Sequence, residues 1–182
     1  MQTIDISTFI EGGDIFLRKI LTLLVLASFL AGCYSDPTGW YDTKEDAIKY
    51  GLEQESSNGI EKAILLSVEE HMDETIVFFE FANALGVASI TESKKGFSWY
   101  RDSPYSDFEG DIPYSTMGFD IETKQGTEIS ILAGKVFDTK IQKVKLRGER
   151  NDRELIITEN SRLFYTIHNA PYSSLEIIPI VD

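Results

Sequence analysis

Hydrophobic positions change period along this chain. Between Thr43 and Gly59 they recur at helical spacing, with Ala47, Ile48, Gly51 and Leu52 on one face. Thr43 stands where an N-cap belongs, and Glu45 and Asp46 fall in the first turn, where the helix dipole favours acid. Ser56-Ser57-Asn58-Gly59 supplies the stop. One amphipathic helix is predicted here.

From Ile60 the period becomes two. IEKAILLSVEEHM, ETIVFFEFANALG and VASITESKKGFSWYR read as three strands of a meander, connected at His71-Met72-Asp73-Glu74 and at Asn83 to Gly86. DSPYSDFEGDIPYS, Asp102 to Ser115, carries three turn clusters and reads as a long loop. Alternation resumes in TMGFDIETKQGTEISILAG, with a hairpin turn at Lys124-Gln125-Gly126, and continues through TKIQKVKLRG, RELIITE, RLFYTIHN and SLEIIPIVD. Strands and helices do not alternate as a parallel sheet requires. The expected fold is therefore α+β and mainly antiparallel β, a helix and meander followed by an antiparallel sandwich or strongly curved sheet. The half from Gly134 to Asp182 is similar in rhythm to the Ig-like sandwich modules of exported bacterial lipoproteins.

The N-terminal pattern is of another kind. After Arg18 and Lys19, the run from Ile20 to Gly32 is 13 residues long and uncharged. A bilayer core needs about 20 helical residues, so the run is short for a permanent span. A basic start, a short apolar stretch and a small-residue exit make up the layout of a secretory signal. The exit, Leu30-Ala31-Gly32-Cys33, resembles the lipobox of bacterial lipoprotein precursors, as in small Gram-positive lipoproteins. That resemblance implies a diacylglycerol on the Cys33 thiol and cleavage just before it. Cys33 is the single cysteine of the 182 residues, so no internal disulfide competes for the thiol.

The preceding segment does not fit a signal. Met1 to Phe16 contains Asp5, Glu11 and Asp14 but no Lys or Arg, whereas signal n-regions are basic. Glu11-Gly12-Gly13-Asp14 can be encoded as GAA-GGA-GGT-GAT, a ribosome-binding sequence of the Gram-positive type, and Leu17 can be encoded by the start codon TTG. The expected organisation is an untranslated leader over 1–16, a signal peptide over 17–32 and a tether over 33–42. A single extracytoplasmic domain over 43–182 follows, comprising the helix and meander (43–101), a loop (102–115) and a β-rich half (116–182). The signal helix is expected to project from a body that starts near Trp40.

Charge narrows the partners. Lys and Arg number 17 against 30 Asp and Glu, a net charge of −13. Without residues 1–32 the balance is 15 against 27, or −12. Such a surface repels nucleic acid and anionic headgroups.

Candidate chemistry is sparse. His71 and His168 lack His or Cys neighbours at metal-ligand spacing, so no metal site is expected. No G-x-S-x-G elbow is present, and no catalytic residues are assigned. Trp99, Tyr100, Arg101, Tyr105, Phe108 and Tyr114 gather aromatic rings and a cation in or beside the long loop, as a carbohydrate or peptide site would. The competing reading puts Phe97 and Trp99, two apart, on one strand face in the core. Lys143, Lys145 and Arg147 share the other strand face from Val144 and Leu146. They suit either a docking strip for an acidic partner or the protection of an exposed strand edge. The functional expectation is a binding module, lipid-anchored to the outer face of a cell membrane, with a protein or cell-wall partner and no cofactor beyond the lipid on Cys33. An envelope-associated hydrolase and an immunity-type, partner-masking lipoprotein are the alternatives.

Overall fold

The computed structural model describes residues 39–56, 59 and 61–181. The leader, the signal run, the lipobox and Cys33 lie outside the described residues, as does the start of the tether. One α-helix, α1 (Lys44–Glu55), precedes ten strands among the described residues. These are β1 (Ile64–His71), β2 (Glu74–Phe81), β3 (Ala84–Ser93), β4 (Gly96–Tyr100), β5 (Tyr114–Glu122), β6 (Glu128–Val136), β7 (Ile141–Arg147), β8 (Arg153–Leu155), β9 (Leu163–Ile167) and β10 (Glu176–Val181). Among the described residues no helix is long and apolar enough to cross a membrane.

The helix begins as its sequence directs. Thr43 is extended, and its hydroxyl accepts from Asp46 N at 3.1 Å, satisfying one of the free amides of the first turn. Ala47, Ile48 and Gly51 are buried.

Among the described residues all strand pairs are antiparallel and form three sheets, ordered β1-β2-β3-β4, β5-β6-β9 and β10-β7-β8. The meander has four strands where the sequence pattern suggested three. Its second turn lies at Ala82-Asn83, with φ of 54° and 63°, and not at Asn83 to Gly86. A two-residue turn with both φ positive preserves the pairing register, so Gly86 falls inside β3 opposite Phe79. Alanine is an uncommon residue at positive φ, which hides this turn from sequence. A third turn at Lys94-Lys95 divides the run read as one strand into β3 and β4. RELIITE is likewise shorter than expected. Strand β8 stops at Leu155, and Ile156 is 86% exposed, so no neighbour rewards its β preference.

Period-two alternation assigns each face to a layer. From β2 and β3, Ile76, Phe78, Leu85 and Val87 pack against Ile129, Ile131, Leu163 and Ile167 of β6 and β9. The opposite face sends Val77 and Ile90 to Ala47 and Ile48 of α1. Strands β6 and β9 also turn Leu132, Val136 and Phe164 toward Val144, Leu146 and Leu155 of β7 and β8. The order of layers is therefore helix, meander, β5-β6-β9 sheet, β10-β7-β8 sheet. Strands β6 and β9 are apolar on both faces because both are covered, whereas β5, at the edge, exposes Met117, Gly118 and Asp120.

Close packing within the β5-β6-β9 sheet depends on Gly134 of β6, across which the ring of its cross-strand partner Phe164 lies. A Cβ there would stand 2.3 Å from Phe164 Cζ and 2.5 Å from the Ser115 carbonyl oxygen. The oxygen belongs to the adjacent strand and cannot swing aside. Gly134→Ala is expected to cost about 3 kcal/mol, read as a fall of roughly 10 °C in Tm. An unchanged Tm would show that Phe164 and the β5 backbone have room to give way.

Candidate functional site

Helix α1 covers β2, β3 and β4 but leaves β1 open. Between α1 and β1 runs a groove of about 670 Å³. Its walls are Ile48 and Leu52 on the helix side and Ala63, Leu65 and Val68 on the strand side.

Sequence separation alone would not put Leu65 and Val68 together. Three residues apart on a regular strand, they would point to opposite faces. A bulge between Leu65 and Ser67 inserts Leu66, so Leu65 pairs with Phe79 while Val68 pairs with Val77. Phe79 and Val77 are two apart on β2, and Val77 packs against α1. Leu65 and Val68 thus share the helix-side face, while the extra Leu66 packs on the core beneath.

Two clamps hold the walls apart at a set distance. Lys44 Nζ donates to Glu70 Oε1 at 2.6 Å, from the start of the helix to the end of the strand. At the other end Ser56 Oγ donates to Leu52 O at 2.6 Å and accepts from Ala63 N at 2.8 Å. The hydrogen bond from Lys44 holds the Glu70 carboxyl below its ordinary range, against a smaller opposing effect of burial. Helix and strand run antiparallel between these ties.

The groove is exposed and apolar. Nine large apolar side chains are exposed among the described residues, and two of them, Leu65 and Val68, line this groove, where they adjoin Ile48, Leu52 and Ala63. Scattered apolar exposure is ordinary, but a contiguous patch marks a contact surface. Lys44, Lys49, Lys62, Glu45 and Glu53 form the polar rim. Cations outnumber acids there, the reverse of the chain as a whole.

The sequence-predicted site residues lie elsewhere. Phe97 and Trp99 both pack toward α1, where a Cβ on Gly51 would fall 2.0 Å from Trp99 Cδ2. Phe108 is buried in the core between the meander and the β5-β6-β9 sheet. Tyr114 packs in the core between the other two sheets and donates to Ile177 O at 3.3 Å. Tyr100 ends β4, half-buried, opposite Ser89. Trp99, Phe108 and Tyr114 therefore belong to three different cores, and no shared surface brings them together. Arg101 and Tyr105 do meet, on Glu55 at the end of α1. Arg101 Nε and Nη2 donate to Glu55 Oε1 and Oε2 at 2.8 and 3.0 Å, and the Tyr105 hydroxyl donates to Oε2 as well. The guanidinium lies over the Tyr105 ring at 4.5 Å. Burial, then the bond to Glu55, pushes the Tyr105 phenol well above its usual range.

Lys143 and Arg147 point outward from β7, with Lys145 at the intervening outward position. That strand lies between β10 and β8, so protection of an open edge does not explain these cations. They are interleaved with acids: Lys143 meets Glu154 at 3.1 Å, and Arg147 meets Glu176 at 3.2 Å and Asp152 at 3.4 Å. His168 is buried, its Nδ1 2.7 Å from Ala170 O, and His71 ends β1. Among the described residues no group of three or more His, Cys, Asp or Glu side chains is placed to hold a metal ion.

The groove residues carried one legible signal. Ala63 to Leu66 are four apolar residues in succession leading into a strand that otherwise alternates, more than one buried face requires. Compared with family models, curated proteins and solved structures, the chain matches none.

Proposed function

We propose that this chain is an exported lipoprotein, held on the outer face of a Gram-positive cell membrane by a diacylglycerol on Cys33, whose folded body acts by binding a partner in the α1–β1 groove. The observation that carries the anchor is the order of residues: Arg18-Lys19, an uncharged run of 13 residues, then Leu-Ala-Gly before the only cysteine. The binding role is supported by an apolar groove of about 670 Å³ with a mixed-charge rim, within the size range of small-ligand and peptide sites. The acidic chain keeps the tethered body soluble beside a membrane. The same reading extends to the second half of the body as an Ig-like sandwich, supported by the two three-stranded antiparallel sheets that share a core.

Cys33→Ala is the direct test. Each buried methylene contributes about 0.8 kcal/mol, so two acyl chains hold a protein almost permanently where one does not. Cells grown with radiolabelled palmitate are expected to label the wild type and not the variant, while the variant's body stays folded. Equal labelling of both would refute the anchor.

A further inference from the structure

A polar hollow of about 520 Å³ lies at the turn between β7 and β8, far along the chain from the α1–β1 groove. Gly148 to Asn151 and Arg153 form one wall, and Asn169 and Ala170, just after β9, form the other. No apolar side chain larger than that of Ala170 lines it, so it admits a hydrophilic ligand.

Both walls are fixed by contacts of their own. Gly148 has a φ of 110°, and a Cβ there would stand 2.2 Å from the Ser174 carbonyl oxygen, so the turn is pressed against the segment before β10. Opposite, the buried His168 donates from Nδ1 to Ala170 O at 2.7 Å. Glu149 joins the walls: its Oε1 accepts from Asn169 N at 3.2 Å, and its Oε2 lies 2.8 Å from Arg153 Nη2. Walls held in this way need little ordering when a ligand arrives.

Hydrogen-bond donors are in surplus here. Arg153 uses Nη2 for Ile167 O and Glu149, whereas its Nε is shut from solvent without an acceptor. Arg150, exposed on the turn, makes no ion pair or hydrogen bond among the described residues. The acids around it are all engaged. Glu149 pairs with Arg153, Asp152 and Glu176 with Arg147, and Glu154 with Lys143. The one carboxylate inside the hollow, that of Glu149, is already gripped by a guanidinium and a backbone amide, which shows what these walls recognise.

We infer that this hollow is an anion site, in which Arg150 and Arg153 hold the carboxylate or phosphate of a small hydrophilic ligand. Guanidinium groups suit either oxyanion, because their paired N–H donors match two oxygens at once. The exposed amides of Asn151 and Asn169 are placed to meet the ligand's hydroxyls. The site is independent of the groove and of the strands that line it.

The test titrates the full chain in phosphatidylcholine nanodiscs with inorganic phosphate, glucuronate and glucose, following the Arg150 and Arg153 side-chain N–H signals and the Asn169 amide by NMR. At least one of the two anions is expected to bind and shift all three signals, and whichever binds names the oxyanion. Glucose, which resembles glucuronate without its charge, is expected to leave them unmoved. Arg150→Gln, at an exposed position, should weaken anion binding by roughly tenfold. Lys145→Gln, which removes a cation from the middle of β7, should leave it unchanged. Binding of glucose as tight as that of glucuronate would overturn the assignment. So would equal losses in Arg150→Gln and Lys145→Gln, which would reduce the effect to general charge attraction, and so would the absence of binding by both anions.

Discussion

Phe78→Ala is expected to lower the free energy of unfolding by about 4 kcal/mol, a large part of the roughly 5–15 kcal/mol that holds a domain of this size. Phe78 is fully buried on β2, and its ring stacks on Tyr165 of β9 with centroids 4.4 Å apart. The contact joins the meander to the next sheet across a separation of 87 residues. The Tyr165 hydroxyl continues to Ser67 Oγ on β1 at 3.1 Å, so the ring is held from both ends. Truncation leaves a cavity between two sheets whose other side chains are already interlocked, and little can move to fill it. Phe78→Leu, which keeps most of the volume, should cost about 1.5 kcal/mol. Denaturant titration followed by tryptophan fluorescence reads both as shifts of the midpoint. A cost below that of the leucine variant would mean that the layers do not share this core.

The second large effect lies at Glu55. Glu55→Ala is expected to destabilise the body by about 3 kcal/mol, because it strands a partly buried guanidinium and a phenol together. Side-chain exposure at the pair is 23% for Arg101 and 13% for Glu55, well inside the range where geometry counts for more than at the surface. Arg101 also donates to Ser103 O at 2.6 Å, so the cluster ties the end of α1 to the start of the long loop. Adding Arg101→Ala to Glu55→Ala should cost less than the sum of the two, since the second change removes a cation already unpaired. Additive losses would show that the three side chains do not act together.

The same cluster sets an alkaline limit. The folded Tyr105 phenol titrates above its ordinary 10.0, raised first by burial and then by Glu55, and burial raises Tyr165 as well. A tyrosine with a raised folded pKa contributes stability that is fully present below the unfolded value and lost as pH climbs through and beyond it. Unfolding free energy should therefore hold steady up to about pH 10 and decline above it. Tyr105→Phe should flatten part of that decline. An unaltered slope in Tyr105→Phe would assign the alkaline loss to other groups.

Much of the local structure was readable from residues close in sequence. Thr43, Glu45 and Asp46 specify a helix start through bonds made within one turn, and the structure places that start where they do. Period-two alternation located most strands, and Gly126, at φ 85°, makes the hairpin between β5 and β6 where its residue type required. The failures were local signals overruled by partners. Ala82 takes positive φ because β2 and β3 pair in register on either side of it, and no property of alanine announces this. Trp99, Phe108 and Tyr114 looked like one aromatic cluster because they are near in sequence. Each is drawn into a different core by residues far along the chain.

The sequence by itself determined the helix, most strand positions, the acidic balance and the Leu-Ala-Gly-Cys motif behind the anchor proposal, because each depends on residue type and short spacing. Only the tertiary structure decided that β6 and β9 are covered on both faces, that β7 is interior to its sheet, and that a bulge at Leu66 turns Leu65 and Val68 to one side. The physical reason is the range of the interactions. Strand pairing and bulges are settled by which distant backbone supplies the hydrogen bonds, and a strand's own residues cannot specify that partner. The groove beside β1 exists because α1 packs over the other three strands, a choice made by Trp99 and Ile90 across the sheet and not by any residue that lines the groove's open side.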